Sequence, residues 1–315
     1  MTDITVEPFL KWVGGKTQIC DDVINLFPAV IERYYEPFIG GGSILIKLLN
    51  LVDTNMIKIK KFHISDINKT LILTYHNIKH NPEKLIQQLT IIKENYFKNT
   101  NISATSKGTS IQFLDNIDEN ILKGCNYVYY FYRDMYNKLK KTIDNLNTDD
   151  KCKLSALFIF LNKTCFRGLY RENSSGEFNV PFGNYSNPTI YDKDNITNLS
   201  KLFKKYKVKF KCLSFDTITV KNNSFVYLDP PYYPENSNSF VDYNGSSFNL
   251  ESNNKLLNMV NNLNDKNIKF VLSNSDTQWI NDNYNKYNIN KILCKRKINS
   301  KNPKSTVNEV IIKNY

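Results

Sequence analysis

Four consecutive residues, Asp229-Pro230-Pro231-Tyr232, combine groups that could hold and activate a planar amine. An ionised carboxylate accepts hydrogen bonds and carries charge. Two prolines in series fix φ and remove two backbone donors, so the turn is stiff and its carbonyls stay available as acceptors. Tyr232 adds an aromatic face on which a flat ring can stack and over which a cation is favoured. The same residues could simply close an ordinary strand, and taken alone the tetrapeptide fits either reading.

The elements around it sharpen the choice. Phe225-Val226-Tyr227-Leu228 reads as a short buried strand that delivers Asp229 to its carboxyl end, the edge where ligands sit in open parallel sheets. Far upstream, Tyr34-Tyr35-Glu36-Pro37-Phe38-Ile39-Gly40-Gly41-Gly42-Ser43 reads as strand, glycine turn and helix start. Three glycines allow a ligand to approach the backbone closely. The next strand, Lys61 to Ser65, ends at Asp66, twenty-four positions beyond Gly42, and an acid at that place in a doubly wound sheet grips a ribose diol. The glycine spacing lacks the G-x-G-x-x-G pyrophosphate pattern, so a nucleoside cofactor without phosphates fits better than a dinucleotide. Phe9 to Thr17 ends like a phosphate loop, but Leu10 stands where that motif needs glycine.

Forty-two Lys+Arg against thirty Asp+Glu give a net charge of +12, which favours a polyanionic partner. Seven lysines fall within residues 201–221 and eight Lys/Arg within 286–315, on either side of the Asp229 stretch in sequence. Six scattered cysteines without C-x-x-C spacing, and three histidines, argue against a zinc cluster. No metal is expected, and the thiols are expected to be reduced. The first residues lack an apolar leader, and the longest apolar run, Ala156 to Leu161, is too short to span a bilayer. A soluble intracellular protein without membrane contact is expected.

The expected fold is α/β, a doubly wound and mostly parallel sheet with an inserted, mainly helical domain that carries a β-hairpin. Boundaries are expected at 1–80 for the first part of the catalytic domain, 81–190 for the insert and 191–315 for the second part. Within the insert, helices are expected near 82–98, 126–145 and 151–164, with a polar break over Asn99–Ser110. The stretch Asn162 to Tyr185 interleaves aromatics with Arg167 and Arg171, around a turn at Ser174-Ser175-Gly176. Arginines read guanine edges, and exposed aromatics stack on or wedge between bases. An aromatic loop packing on its own domain is the plainer reading of that stretch. After Tyr191 strands are expected over Lys207–Ser214, Ser224–Asp229 and Ile268–Ser273, with a helix over Leu250–Leu263. Ile289–Ile298 and Val307–Lys313 read as a closing antiparallel pair.

Six blocks in fixed order resemble Dam-type DNA adenine-N6 methyltransferases of the D12 class, alpha group. They are FLKWVGGK, EPFIGGG, SDIN, the 162–185 text, DPPY and LSNSDT. The resemblance implies S-adenosyl-L-methionine as cofactor. It implies that Trp12, Lys16, Phe38, Gly40, Gly42, Asp66, Ser214, Phe215 and Asp229 line the cofactor site, and that Asp229, Pro230, Pro231 and Tyr232 are catalytic. It places Phe166 as an intercalating aromatic and Arg171 as a guanine-reading arginine, with Arg167, Leu169, Pro181, Asn184 and Tyr185 also on DNA. Arg167 departs from an expected asparagine and Asn184 from an expected basic residue, which leaves the target sequence open around a GATC-like lead. The implied reaction moves a methyl group to the N6 amine of a flipped-out adenine in double-stranded DNA. A monomer is expected, acting in the cytoplasm, at the nucleoid or where DNA is replicated, and the existence of a companion restriction endonuclease is left open. The alternatives are an enzyme acting on RNA adenine or DNA cytosine, and a catalytically idle DNA-binding homologue.

Overall fold

The computed structural model describes residues 5–98, 125–185, 187–234, 248–295 and 306–315. The break expected at Asn99–Ser110 lies outside them, as does the end of the strand expected over Ile289–Ile298. The chain divides into two compact units. One comprises Met1–Pro8, Gly15–Ile72 and Leu202–Tyr315; the other comprises Phe9–Gly14 and Leu73–Lys201.

The first unit is built on a seven-stranded sheet. Its strands are β1 (Arg33–Glu36), β2 (Phe62–Asp66), β3 (Lys209–Cys212), β4 (Ser224–Leu228), β5 (Lys269–Ser275), β6 (Asn288–Lys295) and β7 (Thr306–Lys313). The spatial order is β3-β2-β1-β4-β5-β7-β6. From β3 to β5 all pairs are parallel, whereas β7 runs antiparallel to both β5 and β6. This is the α/β doubly wound class expected from the sequence. The strand order reverses between β1 and β4, so the carboxyl ends Glu36 and Leu228 flank the switch point where such sheets bind ligands.

Strand β4 is buried at all five positions, as a central parallel strand covered on both faces must be. Phe225 and Tyr227 point to one face, where their rings meet Phe27 at 4.6 and 5.6 Å. Val226 and Leu228 point to the other, into a core with Leu256, Val260 and Leu263 of the helix Leu250–Asp265. On the Phe27 side lie α1 (Cys20–Ile24) and α2 (Ser43–Asp53), and α2 buries Ile44, Leu45, Ile46, Leu48, Leu49 and Val52. Each such side chain stabilises the fold by roughly 1.5–3 kcal/mol relative to exposure. Helix α2 starts at once after Gly42, whose φ of 73° is left-handed, a conformation that a side chain would strain.

After β2 the chain forms α3 (Lys69–His80), and the second unit packs α6 (Thr148–Thr164) against α4 (Pro82–Lys98) and α5 (Cys125–Lys141). Asn147 caps α6 by accepting from Asp150 N at 2.9 Å. The helix is buried almost all round, and its apolar run Ala156–Leu161 packs in the core of this unit. Among the described residues no helix is long and apolar enough to cross a membrane. Beyond α6 the chain doubles back as a hairpin held by isolated antiparallel bridges, Cys165 with Phe182 and Glu172 with Phe178.

Candidate active site

The chemistry collects at the carboxyl end of β4. Asp229 leaves the strand into Pro230 and Pro231, and its carboxylate Oδ1 lies 2.8 Å from the Lys16 ammonium. Both side chains are largely buried, at 4% and 16% exposure. Asp229 Oδ1 takes this ammonium as its partner and, with two lone pairs on the oxygen, keeps capacity for a further donor. Lys16 also sits 4.5 Å from the centre of the Tyr232 ring, over its face. Burial raises the Asp229 pKa, the Lys16 charge opposes that rise, and the Glu309 charge adds to it. The Tyr232 hydroxyl donates to Glu309 Oε2 at 2.7 Å. The next residue is gripped by its backbone: Tyr233 N donates to Asn274 Oδ1 at 2.9 Å, and Ser275 Oγ donates to Tyr233 O at 2.6 Å.

On the neighbouring strands the glycine turn and Asp66 are joined directly. Gly40 N donates to Asp66 Oδ2 at 3.1 Å and Asn68 N to Asp66 Oδ1 at 2.9 Å. Burial raises the Asp66 pKa and the N–H groups of Asn68, Gly40 and Ile67 hold it down. A carboxylate offers about four acceptor sites, so this pattern leaves capacity for a hydroxyl donor. Phe38, Phe215 and Phe248 form a triangle of rings with centroids 5.2, 5.6 and 5.9 Å apart, an apolar wall on which a flat base can lie. Ser214 donates to Asp216 Oδ1 just before Phe215. Glu36, at the end of β1, is buried and accepts from Tyr34 OH at 2.8 Å. Burial pushes its pKa up to about 8, against the Tyr34 hydrogen bond and aided by the nearby Asp229 and Asp66 charges.

Thus Lys16, Phe38, Gly40, Gly42, Asp66, Ser214, Phe215, Asp229, Pro230, Pro231 and Tyr232 all lie in the first unit. Their donor set fits a nucleoside bearing a positive charge: a diol acceptor, an aromatic wall, and the buried acceptor Asp229 Oδ1. Trp12 lies in the second unit, stacked 5.9 Å from Tyr170 and tilted against Phe158 at 6.3 Å.

In the second unit the hairpin is anchored by its backbone. Asn137 of α5 accepts from Phe178 N at 2.9 Å and donates to Phe178 O at 3.1 Å. Tyr129 donates to Val180 O at 2.7 Å, and Tyr96 donates to Tyr185 O at 3.0 Å. Asn162 clasps Lys11, accepting from its N–H at 2.8 Å and donating to its carbonyl at 2.7 Å. Gly168 has φ 67°, and a Cβ there would stand 2.5 Å from Lys11 Cβ, so glycine is required twice over. Phe166, Arg167, Arg171, Pro181 and Asn184 are exposed, while Leu169 and Tyr185 are half-buried. Lys11 lies over the Tyr185 ring at 4.2 Å, Arg167 lies over Phe166 at 5.1 Å, and Arg171 Nε donates to Asn179 Oδ1 at 2.8 Å. Asn137, Asn162, Asn274, Ser275 and Glu309 escape residue-by-residue sequence reading. Asn162, Asn274 and Ser275 at least fall inside the recognisable blocks.

The chain matches the D12 class N6 adenine-specific DNA methyltransferase family over residues 12–298, and it belongs to that family. The Type II methyltransferase M.MjaIII of Methanocaldococcus jannaschii is 39% identical over 98% of this chain and 99% of its own. The Type II methyltransferase M1.LlaDCHI of Lactococcus lactis subsp. cremoris is 29% identical over 99% of this chain and 96% of its own. The DNA adenine methylase of Escherichia coli K12 is 28% identical over 93% and 89%. The protein is accordingly an adenine-specific DNA methyltransferase, and methyltransferases of this kind draw on S-adenosylmethionine in general.

Proposed function

We propose that the enzyme methylates the N6 amine of an adenine turned out of the duplex, within a short GATC-like target. The observation that carries this is the rigid Asp229-Pro230-Pro231-Tyr232 turn with Lys16 paired to its carboxylate. S-adenosylmethionine, when bound, supplies an electrophilic sulfonium methyl group. Lys16, Phe38, Gly40, Gly42, Asp66, Ser214, Phe215 and Asp229 hold it, with Asp66 on the ribose and the phenylalanine wall on the base. Trp12 is the remaining candidate for that site.

The adenine amine is a poor nucleophile because its lone pair is delocalised into the ring. Asp229 Oδ1 and the Pro230 carbonyl accept its two N–H bonds, which favours tetrahedral nitrogen and turns the lone pair outward. Lys16 keeps Asp229 ionised in a buried setting that would otherwise favour the neutral acid. Tyr232 presents a ring for the base to stack on. Positioning and charge placement, fixed beforehand, supply the rate. An adenine inside the helix is out of reach of this turn, so the base is extruded.

The second unit reads the target. Arg171 addresses a guanine edge, Phe166 fills the gap left by the extruded base, and Arg167, Leu169, Pro181, Asn184 and Tyr185 complete the contact. The enzyme works as a monomer on double-stranded DNA. Relatives named as Type II methyltransferases support a companion endonuclease. The deciding experiment is Asp229→Ala: transfer to unmethylated duplex should vanish while cofactor and DNA binding persist. Near-parental turnover in that variant would remove Asp229 from the mechanism.

A further inference from the structure

Glu309 takes no part in the reaction above, yet it touches the catalytic turn. It lies on β7 directly opposite Ser275 of β5. The two strands grip successive residues of the turn by different means. Strand β5 holds the Tyr233 backbone through Asn274 and Ser275, and the Tyr233 ring stacks 4.6 Å from Trp279 at an interplanar angle of 2°. Strand β7 holds the Tyr232 side chain, whose hydroxyl donates to Glu309 Oε2 at 2.7 Å.

A tyrosine anchored at its backbone alone can still swing about its two side-chain torsions. A bond at the far end of the ring removes that freedom. A carboxylate acceptor makes the bond charge-assisted and stronger than one to a neutral group. The donor is secure, because burial first, then the Asp229 and Glu309 charges, keep the Tyr232 hydroxyl protonated well above the usual range. At the ring's other side stands the Lys16 ammonium, 4.5 Å from its centre.

We propose that Glu309 is a positioning residue that tethers Tyr232 by its hydroxyl and presets the plane on which the target adenine stacks. The proposal rests on the reading of Asp229 to Tyr232 as the catalytic turn. The closing antiparallel strand then does more than finish the sheet: it sets the far end of the aromatic ring from a direction that the proline turn cannot reach.

The test is a double-mutant cycle in the full-length enzyme, with methyl transfer to duplex DNA measured at saturating cofactor. Tyr232→Phe keeps the ring and loses the tether; Glu309→Ala loses the tether and keeps the ring and its hydroxyl. Each should lower kcat about tenfold, the scale of one charge-assisted hydrogen bond, with the cofactor dissociation constant little changed. The double variant should be no slower than the slower single one, because both changes cut the same bond. Glu309→Gln, which keeps an acceptor and spares the strand, should restore part of the loss. In the Tyr232→Phe background, changing Glu309→Gln should leave kcat where it was, an arm that stands even if Glu309→Ala does not fold. Additive losses, or parental kcat in Glu309→Ala, would overturn the tether. Asp229→Ala run alongside separates the two failures: lost transfer there, with additive losses in the cycle, rejects only the tether, whereas retained transfer rejects the catalytic reading itself.

Discussion

At the carboxyl end of β4 the working side chains are themselves tied down, while in the hairpin over residues 162–185 the backbone is anchored and several long side chains stand at the surface. Asp229 is paired with Lys16, Tyr232 with Glu309, and Asp66 with the glycine turn. In the hairpin, Asn137, Tyr129 and Tyr96 bind main-chain atoms, and Phe166, Arg167 and Arg171 stand exposed. The contrast follows from the tasks. Chemistry gains most when charge and geometry are fixed before the substrate arrives. Reading a base edge needs long side chains that can reach and adjust, set on a scaffold that keeps the register.

Four substitutions bear on that contrast. Asp229→Ala should have the largest effect, a fall in kcat of about 10³-fold or more, as expected where a fixed electrostatic group is lost; single-turnover assays at saturating DNA and cofactor read it directly. Arg171→Ala should act on discrimination, narrowing the preference for the true target over one-base variants by about 1–3 kcal/mol. Steady-state competition between the two duplexes measures this, and an equal loss on both would mean that Arg171 contacts phosphate.

Lys16→Gln should move the acid limb of the kcat profile to higher pH. Only ionised Asp229 accepts the amine protons, and removing the cation that holds its raised pKa down lets that pKa climb further. Activity is therefore lost sooner as pH falls. The other titrating groups that interact with this carboxyl, Glu36, Tyr227, Tyr232 and Glu309, stay in place. A limb that stays put, or moves to lower pH, would contradict the pairing.

Glu36→Gln should have the smallest effect on catalysis and a readable one on stability. The folded pKa is raised from 4.5 to about 8, so between those values the folded state binds more protons than the unfolded chain. By linkage, the stability of the parent falls as pH rises through that window. The amide keeps the Tyr34 bond and does not titrate, so the variant's advantage in thermal melts should grow from pH 4.5 towards 8.

What could be read from the chain in advance tracks how local each feature is. The strand before Asp229, the glycine turn and the Asp66 position are written in contiguous residues, because each is a strand end followed by a turn, with prolines after Asp229, glycines after Ile39 and an Asp-x-Asn pair at Asp66. The α/β class followed from the alternation of such segments, and α4 lies over Pro82–Lys98, as expected. Edges were less legible: β3 spans Lys209–Cys212 within the longer expected segment Lys207–Ser214, because apolar alternation marks burial and not hydrogen bonding. A helix over Lys193–Lys205 is marked by no glycine or proline at its ends. Least legible were the supports. Glu309 meets Tyr232 across 77 positions and Asn137 meets Phe178 across 41, and nothing local in either residue announces its partner.

The central claim is that the turn at Asp229 delivers a methyl group to adenine in duplex DNA. It is tested most directly by incubating fully unmethylated duplex with labelled S-adenosylmethionine and mapping the modified bases by sequencing. N6-methyladenine is expected at one short recurring motif, and its loss in Asp229→Ala. Label on cytosine, label in RNA with none in duplex DNA, or adenine methylation without a shared motif would contradict it.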